Sequence, residues 1–263
     1  MFRNVFLKQM YDERRRLVMW GMATGLIAAL MMFLWPSVRD MPDLEEFLAN
    51  YPQAMKDLFN VEAITSGVGF LNAELFSFLL PGLFLIFGIT RGAALVAGEE
   101  EVGKLELVLV TSISRIRFAL QKVAALTVSI VLLGLVIFVF LWVSGLVVDA
   151  GLPAGELAAG MLSVTLLGLE HGLLAMAVGL LTGSKTWATA VASAIGVAGY
   201  VLYVAGKFVD AVERLQVFSP IYHALESGPV GGGFRPIFLW MPVVGVVALA
   251  LALPRFNARD IGT

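Results

Sequence analysis

The chain has 263 residues, 59% of them hydrophobic and 14% charged, with a net charge of −2 and a mean hydropathy of +0.88. Soluble domains run at about 45–50% apolar and about 25% charged, so this composition speaks against a water-soluble globule, and the slightly acidic balance speaks against a broadly basic nucleic-acid binder. There is no cysteine, hence no disulfide, thiolate metal site or thiol nucleophile; with two histidines, His171 and His223, no metal centre is expected.

An all-α integral membrane protein follows, read as one transmembrane domain over residues 1–263. A helix needs about 20 apolar residues to cross the hydrocarbon core. Six stretches qualify: 17–35, 70–97, 117–147, 156–182, 187–208 and 236–254. Ahead of the first, Phe2, Val5, Phe6 and Met10 recur at helical spacing, with Arg3, Lys8 and Arg14 to Arg16 largely elsewhere. This predicts a basic interfacial helix over 2–16; a frayed basic tail that only sets topology is the plainer reading. The run 17–35 is too long for a signal-peptide core, and no small-x-small cleavage site follows it, so it is expected to be a retained span.

The link from Pro36 to Gly69 is acidic, with Asp40, Asp43, Glu45, Glu46, Asp57 and Glu62, and its apolar residues keep a rough helical period. One or two short amphipathic helices with a solvated face are expected there. Asn72 and Glu74, at the start of the second span, are placed to line a vestibule, and Pro81 is expected to kink that span.

The second span runs into Gly98-Glu99-Glu100-Glu101-Val102-Gly103-Lys104-Leu105-Glu106-Leu107-Val108-Leu109-Val110-Thr111-Ser112-Ile113-Ser114-Arg115. Glu100 and Lys104 have the favourable i, i+4 order. Val102, Leu105 and Leu109 are expected to share one helical face, Thr111 to Ser114 reads as a turn, and Ser114 is a candidate cap for the third span. The prediction is a short amphipathic helix over 99–110 between two spans, offering an apolar face and fixed charges to a soluble partner. The alternative is a surface helix resting on lipid headgroups, which three consecutive glutamates fit poorly beside anionic lipid.

Glu170 and His171 fall near the middle of the fourth span, where a charged side chain costs about 2.5–3.5 kcal/mol on insertion scales. They are expected to face protein or a water-filled cavity, either as interhelical glue or as part of a translocation path. Gly168 and Gly172, and Gly179 and Gly183, have the spacing of close helix packing. Gly183-Ser184-Lys185-Thr186 lacks the glycine before the lysine that a phosphate-cradling loop needs and sits between two spans, so it reads as a turn. Past the fifth span, Val209 to Gln216 reads as a helical turn or two, followed by Ser219-Pro220, His223, Glu226 and the glycine-rich run 228–233. A re-entrant hairpin and an ordinary external loop both fit.

Most of the 18 lysines and arginines fall in the N-terminal segment, around the 98–115 link, at Lys185 and at Arg255 and Arg259. Arg39, Lys56, Lys207, Arg214 and Arg235 lie on the opposite side. By the positive-inside rule both termini are expected to be cytoplasmic.

The 98–115 run resembles the signature loop of ABC-2 type transporter permeases. In that family a Glu-rich turn precedes Gly-Thr-Leu-Glu-Leu-Leu-Leu, then Thr-Pro and Ser-Arg. The matching residues are Glu99, Glu100, Gly103, Leu105, Glu106, Leu107, Leu109, Thr111, Ser114, Arg115 and, further on, Lys122. Lys104 stands where Thr is usual and Ser112 where Pro is usual. The N-terminal interfacial helix, six spans, large first outer loop, Ser219-Pro220 and the short basic end are also similar to that family.

The resemblance implies a membrane subunit of an ATP-driven exporter in the cell membrane. It would pair with a second permease, identical or related, and be driven by separate ABC ATPase subunits. Residues 99–110 would be the coupling helix, with Glu99, Glu100, Gly103, Lys104, Leu105, Glu106, Leu109 and Arg115 meeting the ATPase. Glu170, His171, Asn72 and Glu74 are candidates for the translocation path. No catalytic residue, metal or nucleic-acid partner is expected on this chain; ATP and Mg would sit on the partner subunit. The readings from other classes are a membrane-embedded enzyme using Glu170 and His171, and a non-transporting membrane scaffold.

Overall fold

In the computed structural model the described residues are 4–42, 50, 65–105, 113–226 and 228–260. They are helical, with no strand among them. The helices are α1 (Val5–Phe33), α2 (Trp35–Arg39), α3 (Gly67–Leu71), α4 (Leu79–Leu95), α5 (Ala97–Glu101), α6 (Arg115–Val147), α7 (Ala154–Thr182), α8 (Lys185–Phe208), α9 (Asp210–Glu213), α10 (Pro220–Leu225) and α11 (Trp240–Ala258). Five helical stretches are long and apolar enough to cross a membrane; α3 and α4, with the turn between them, form a bent pair that makes a sixth if counted as one span. The helices expected in the acidic link fall almost wholly outside the described residues.

Most boundaries follow from local chemistry. Asn4, Ser114 and Ser184 each accept a backbone N–H from the first turn of α1, α6 and α8, the usual work of a short polar side chain at an N-cap. Gly183, at φ +69°, ends α7 in the left-handed conformation that a glycine adopts without steric cost.

One expectation about the spans is corrected and one is met. Residues 2–16 were expected to form an interfacial helix distinct from the first span, but residues 5–33 are one unbroken helix, about 43 Å long at 1.5 Å per residue. No glycine or proline interrupts it before Gly21, and its first half is held against protein because Gln9 and Glu13 are buried. The second span, expected over 70–97 with a kink at Pro81, bends by 42° between 67–76 and 79–95. Residues 72–76 form a π-helical turn, and Pro81 in the first turn of α4 cannot donate to the carbonyl of Ser77. The break sits one turn ahead of the proline, where such kinks belong.

The bundle is built around α7. Of its apolar stretch 78% is buried, against 28–39% for the other four long helices, because α4, α6, α8 and α11 all pack on it. α4 approaches closest: a Cβ added at Gly88 or Gly92 would overlap the backbone carbonyls of Gly168 and Gly172. The small-residue spacing read in 168–172 is thus spent within the chain, against a matching Gly88/Gly92 pair. α1 lies on α6, with Gly21 and Gly25 against Val136 and Phe140.

The segment after α8 folds back on the bundle. Gln216 Nε2 donates to the Tyr203 carbonyl at 2.6 Å and the Ser219 hydroxyl to the Gly199 carbonyl at 2.8 Å. Gly199 lies nine residues before the end of α8, about 14 Å along the helix axis, so the chain returns well alongside it. Ile221, Ala224 and Leu225 then pack with Leu167, Tyr203 and Met241.

Candidate functional site

The glutamate run forms a hub at one end of the bundle. Val96, at φ −121° and ψ −63°, ends α4, and buried Leu95, Val96 and Ala97 anchor the new turn. Consecutive helical residues point about 100° apart, so three adjacent carboxylates reach three different neighbours. Glu99 Oε1 meets Lys122 Nζ of α6 at 2.6 Å. Glu100 Oε2 meets Arg259 Nη2, just past α11, at 2.5 Å. Glu101 Oε1 accepts the Lys185 backbone N–H at 2.7 Å, placing a carboxylate at the positive N-terminal end of α8.

A second layer lies beneath this hub. Glu13 of α1 pairs with Arg91 of α4 and accepts from Gln9, while the Lys122 ammonium donates to Gln9 Oε1. Two acids and two bases, Glu13, Glu99, Arg91 and Lys122, neutralise one another where α1, α4, α5 and α6 meet. Gln9, Glu13 and Lys122 are 8%, 6% and 2% exposed, so removing one charge would leave its partner unpaired away from water. The sequence reading did not place Gln9, Glu13 and Arg91 in any site, although Arg91 within an apolar run was the signal: a charge there needs a partner.

Arg115 completes this end. Its Nη1 donates to the carbonyls of Phe256 and Asn257, at 3.3 Å each, and to that of Arg259. These belong to the last turn of α11 and its cap, where carbonyls lack helical partners.

The segment expected to be one amphipathic helix over 99–110 is therefore corrected. Its helix α5 ends at Glu101, and Gly103 turns the chain at φ +68°. The Glu100–Lys104 pair is replaced by Glu100–Arg259. Val102 and Leu105 do not share a face: Val102 is 63% exposed and Leu105 is buried in the main core. Glu99, Glu100 and Arg115 spend their polar atoms within the chain, while Glu101, Val102, Gly103 and Lys104 are exposed. Glu106 and Leu109 lie outside the described residues.

The candidate path residues are not gathered in one place. Glu170 and His171 are 1% and 0% exposed in the middle of α7, and Glu170 Oε2 and His171 Nε2 have no hydrogen-bond partner. Asn72 does not line a vestibule: it is buried and bonded both ways to the Val230 backbone, donating from Nδ2 to the carbonyl at 2.7 Å and accepting the N–H at 3.0 Å. The glycine-rich loop presents that backbone, with Gly228, Gly231 and Gly233 at positive φ, and buries Val230 in the main core. Glu74, two residues on, is exposed. An apolar groove of about 320 Å³, which the sequence gave no means of seeing, lies between α4 and α8 with Ile221 of α10 at its side.

No curated protein matches the chain. A protein-family model described as "Multidrug efflux system permease Rv1217c, C-terminal domain" matches residues 10–257, a span that takes in nearly all of the helical bundle and the charged hub except Gln9 and Arg259. The chain belongs to that family.

Proposed function

We propose that this chain is the membrane subunit of an ATP-driven exporter of the ABC-2 type, worked by ATPase subunits that are separate polypeptides. The observation that carries this reading is the three-way division of Glu99, Glu100 and Glu101. A push on the exposed turn 101–104 passes through three carboxylates into α6, α8 and α11 together, and the Gln9–Lys122 and Glu13–Arg91 contacts add α1 and α4. A surface turn wired to most of the bundle is what a lever needs.

In this reading the charged hub faces the cytoplasm, as the positive-inside rule requires of Arg14 to Arg16, Lys104, Arg115 and Lys185. The docking surface includes Val102, Gly103 and Lys104, which are exposed; Glu106 and Leu109 have a docking role only as the family resemblance implies it. A second permease chain completes the transporter, ATP and Mg are held by the ATPase, and the bundle alternates between inward and outward openings. The two states must differ in affinity for nucleotide and cargo for this cycle to move anything. The cargo class follows the family description: assorted drug-like, largely apolar molecules leaving the cell.

Co-purification from mild detergent tests this. An ABC ATPase retained by the chain, and ATP-dependent efflux from proteoliposomes that needs both, is the expected result. Turnover of a lipid-soluble substrate by the chain alone, abolished by Glu170→Gln, would replace it with the membrane-enzyme reading.

A further inference from the structure

The groove between α4 and α8 is walled mostly by apolar side chains, among them Phe78, Pro81, Leu85 and Ile221, with Tyr200, Thr189 and Ser193 also on its lining. At Gly196 its wall is bare backbone, and behind it lies the imidazole of His171. A Cβ placed on Gly196 would come within 3.4 Å of His171 Cδ2, 3.5 Å of Nε2 and 3.7 Å of Leu85 Cδ1. The ring is fully buried, yet Nε2 has no partner.

The other ring nitrogen fixes what Nε2 is. His171 Nδ1 lies 3.1 Å from the Leu167 carbonyl oxygen. A carbonyl only accepts, so Nδ1 carries the proton and Nε2 of the neutral ring is an acceptor. A buried acceptor without a donor is an unmet demand, and the groove on the other side of Gly196 is a place from which a donor can reach it. Leu85, half-buried on the groove wall, is the flexible side chain that must turn aside.

We propose that this groove binds an apolar molecule carrying one hydrogen-bond donor, a hydroxyl or N–H, that reaches past Leu85 to His171 Nε2. As a cargo site it rests on the export reading; as a binding site it does not. The walls supply the affinity for the apolar body, and the imidazole selects for the donor, because an analogue without it leaves the acceptor unpaired.

The probes are 1-naphthol and 1-methoxynaphthalene, which share an aromatic body and differ in the donor. With the full chain in lipid nanodiscs, naphthol should bind about tenfold tighter than the ether, the range one net hydrogen bond provides. His171→Phe should bring the two to equal affinity while retaining the ether, and Gly196→Leu should abolish both. Should the phenylalanine variant fail to fold, the wild-type protein decides alone through ¹⁵N resonances of its two histidines. The His171 Nε2 resonance should move with naphthol and stay with the ether. His223 is an internal reference, its Nε2 being already 2.7 Å from the Val217 carbonyl. Equal affinities in the wild type, a preference that survives His171→Phe, or an unmoved Nε2 resonance overturns the proposal. Selective binding without ATP-driven efflux keeps this site and removes the export reading; efflux without selectivity does the reverse.

Discussion

Glu99 Oε1 lies 2.6 Å from Lys122 Nζ, joining the turn after α4 to the second turn of α6 across 23 residues of sequence. The two partners are unequal. The Lys122 side chain is 3% exposed and that of Glu99 27%, so the ammonium depends on the carboxylate more than the carboxylate depends on it. Glu99→Leu should therefore cost about 3 kcal/mol, the lower end of what breaking a buried pair costs, since Gln9 still accepts from Lys122. Lys122→Met should cost about 1 kcal/mol less than Glu99→Leu, because Glu99 can turn to water. Thermal unfolding in detergent of both variants and of the double variant checks this. A larger loss for Lys122→Met would reverse the assignment.

The approach of α4 to α7 leaves no room at two positions. Gly92→Leu should prevent the bundle from closing, because even a Cβ would overlap the Gly172 carbonyl, whereas Gly82→Ala in the same helix meets nothing within 4 Å. The expected result is loss of the monodisperse folded protein on size exclusion for the first variant and none for the second. Substituting alanine at Gly82 also removes backbone freedom from a helix interior, worth roughly 0.5–1 kcal/mol in its favour.

Asn72 and Val230 lock the bent second span to the glycine-rich loop. Asn72→Leu strands a buried N–H and a buried carbonyl and should cost about 1–3 kcal/mol. Asn72→Asp, when ionised, keeps an acceptor for the Val230 N–H but sets a buried charge against the Val230 carbonyl, so it should cost at least as much. Amide exchange at 228–233 should quicken in the same order. Unchanged exchange in the leucine variant would mean that the burial of Val230 alone holds the loop.

Arg115 ties the start of α6 to the end of α11 through three carbonyls. Arg115→Met should loosen residues 256–260 without unfolding α6, which keeps its Ser114 cap. Faster exchange at those amides, with the Ser114-capped start of α6 unchanged, is expected. If the proposed ATPase co-purifies with the wild type, its loss in this variant alone would mark Arg115 as a direct docking residue.

Much of the fold was legible because lipid imposes simple rules. The apolar runs 117–147, 156–182 and 187–208 became the helices Arg115–Val147, Ala154–Thr182 and Lys185–Phe208, and Ser114 caps α6 as its position suggested. The charged hub was legible only in part. Glu99, Glu100 and Arg115 looked like surface charges because their neighbours in sequence do not reveal Lys122, Arg259 or the end of α11 as partners. Helical periodicity put Val102 with Leu105, but Gly103 breaks the period between them. The pairing of Glu13 with Arg91 spans 78 residues, and no local pattern reports it. The return of residues 216–225 along α8 had a visible cue in Ser219-Pro220 and the glycine run, which marked a turn but not its direction.

If the turn after α5 faces the cytoplasm and receives an ATPase, as proposed, a single thiol placed there reports both. The chain has no cysteine, so Val102→Cys gives one thiol at a side chain 63% exposed. A membrane-impermeant maleimide should label it in inside-out vesicles and not in right-side-out ones, and bound ATPase should protect it. Labelling from the outer face, or full reactivity with the ATPase in place, would contradict the account.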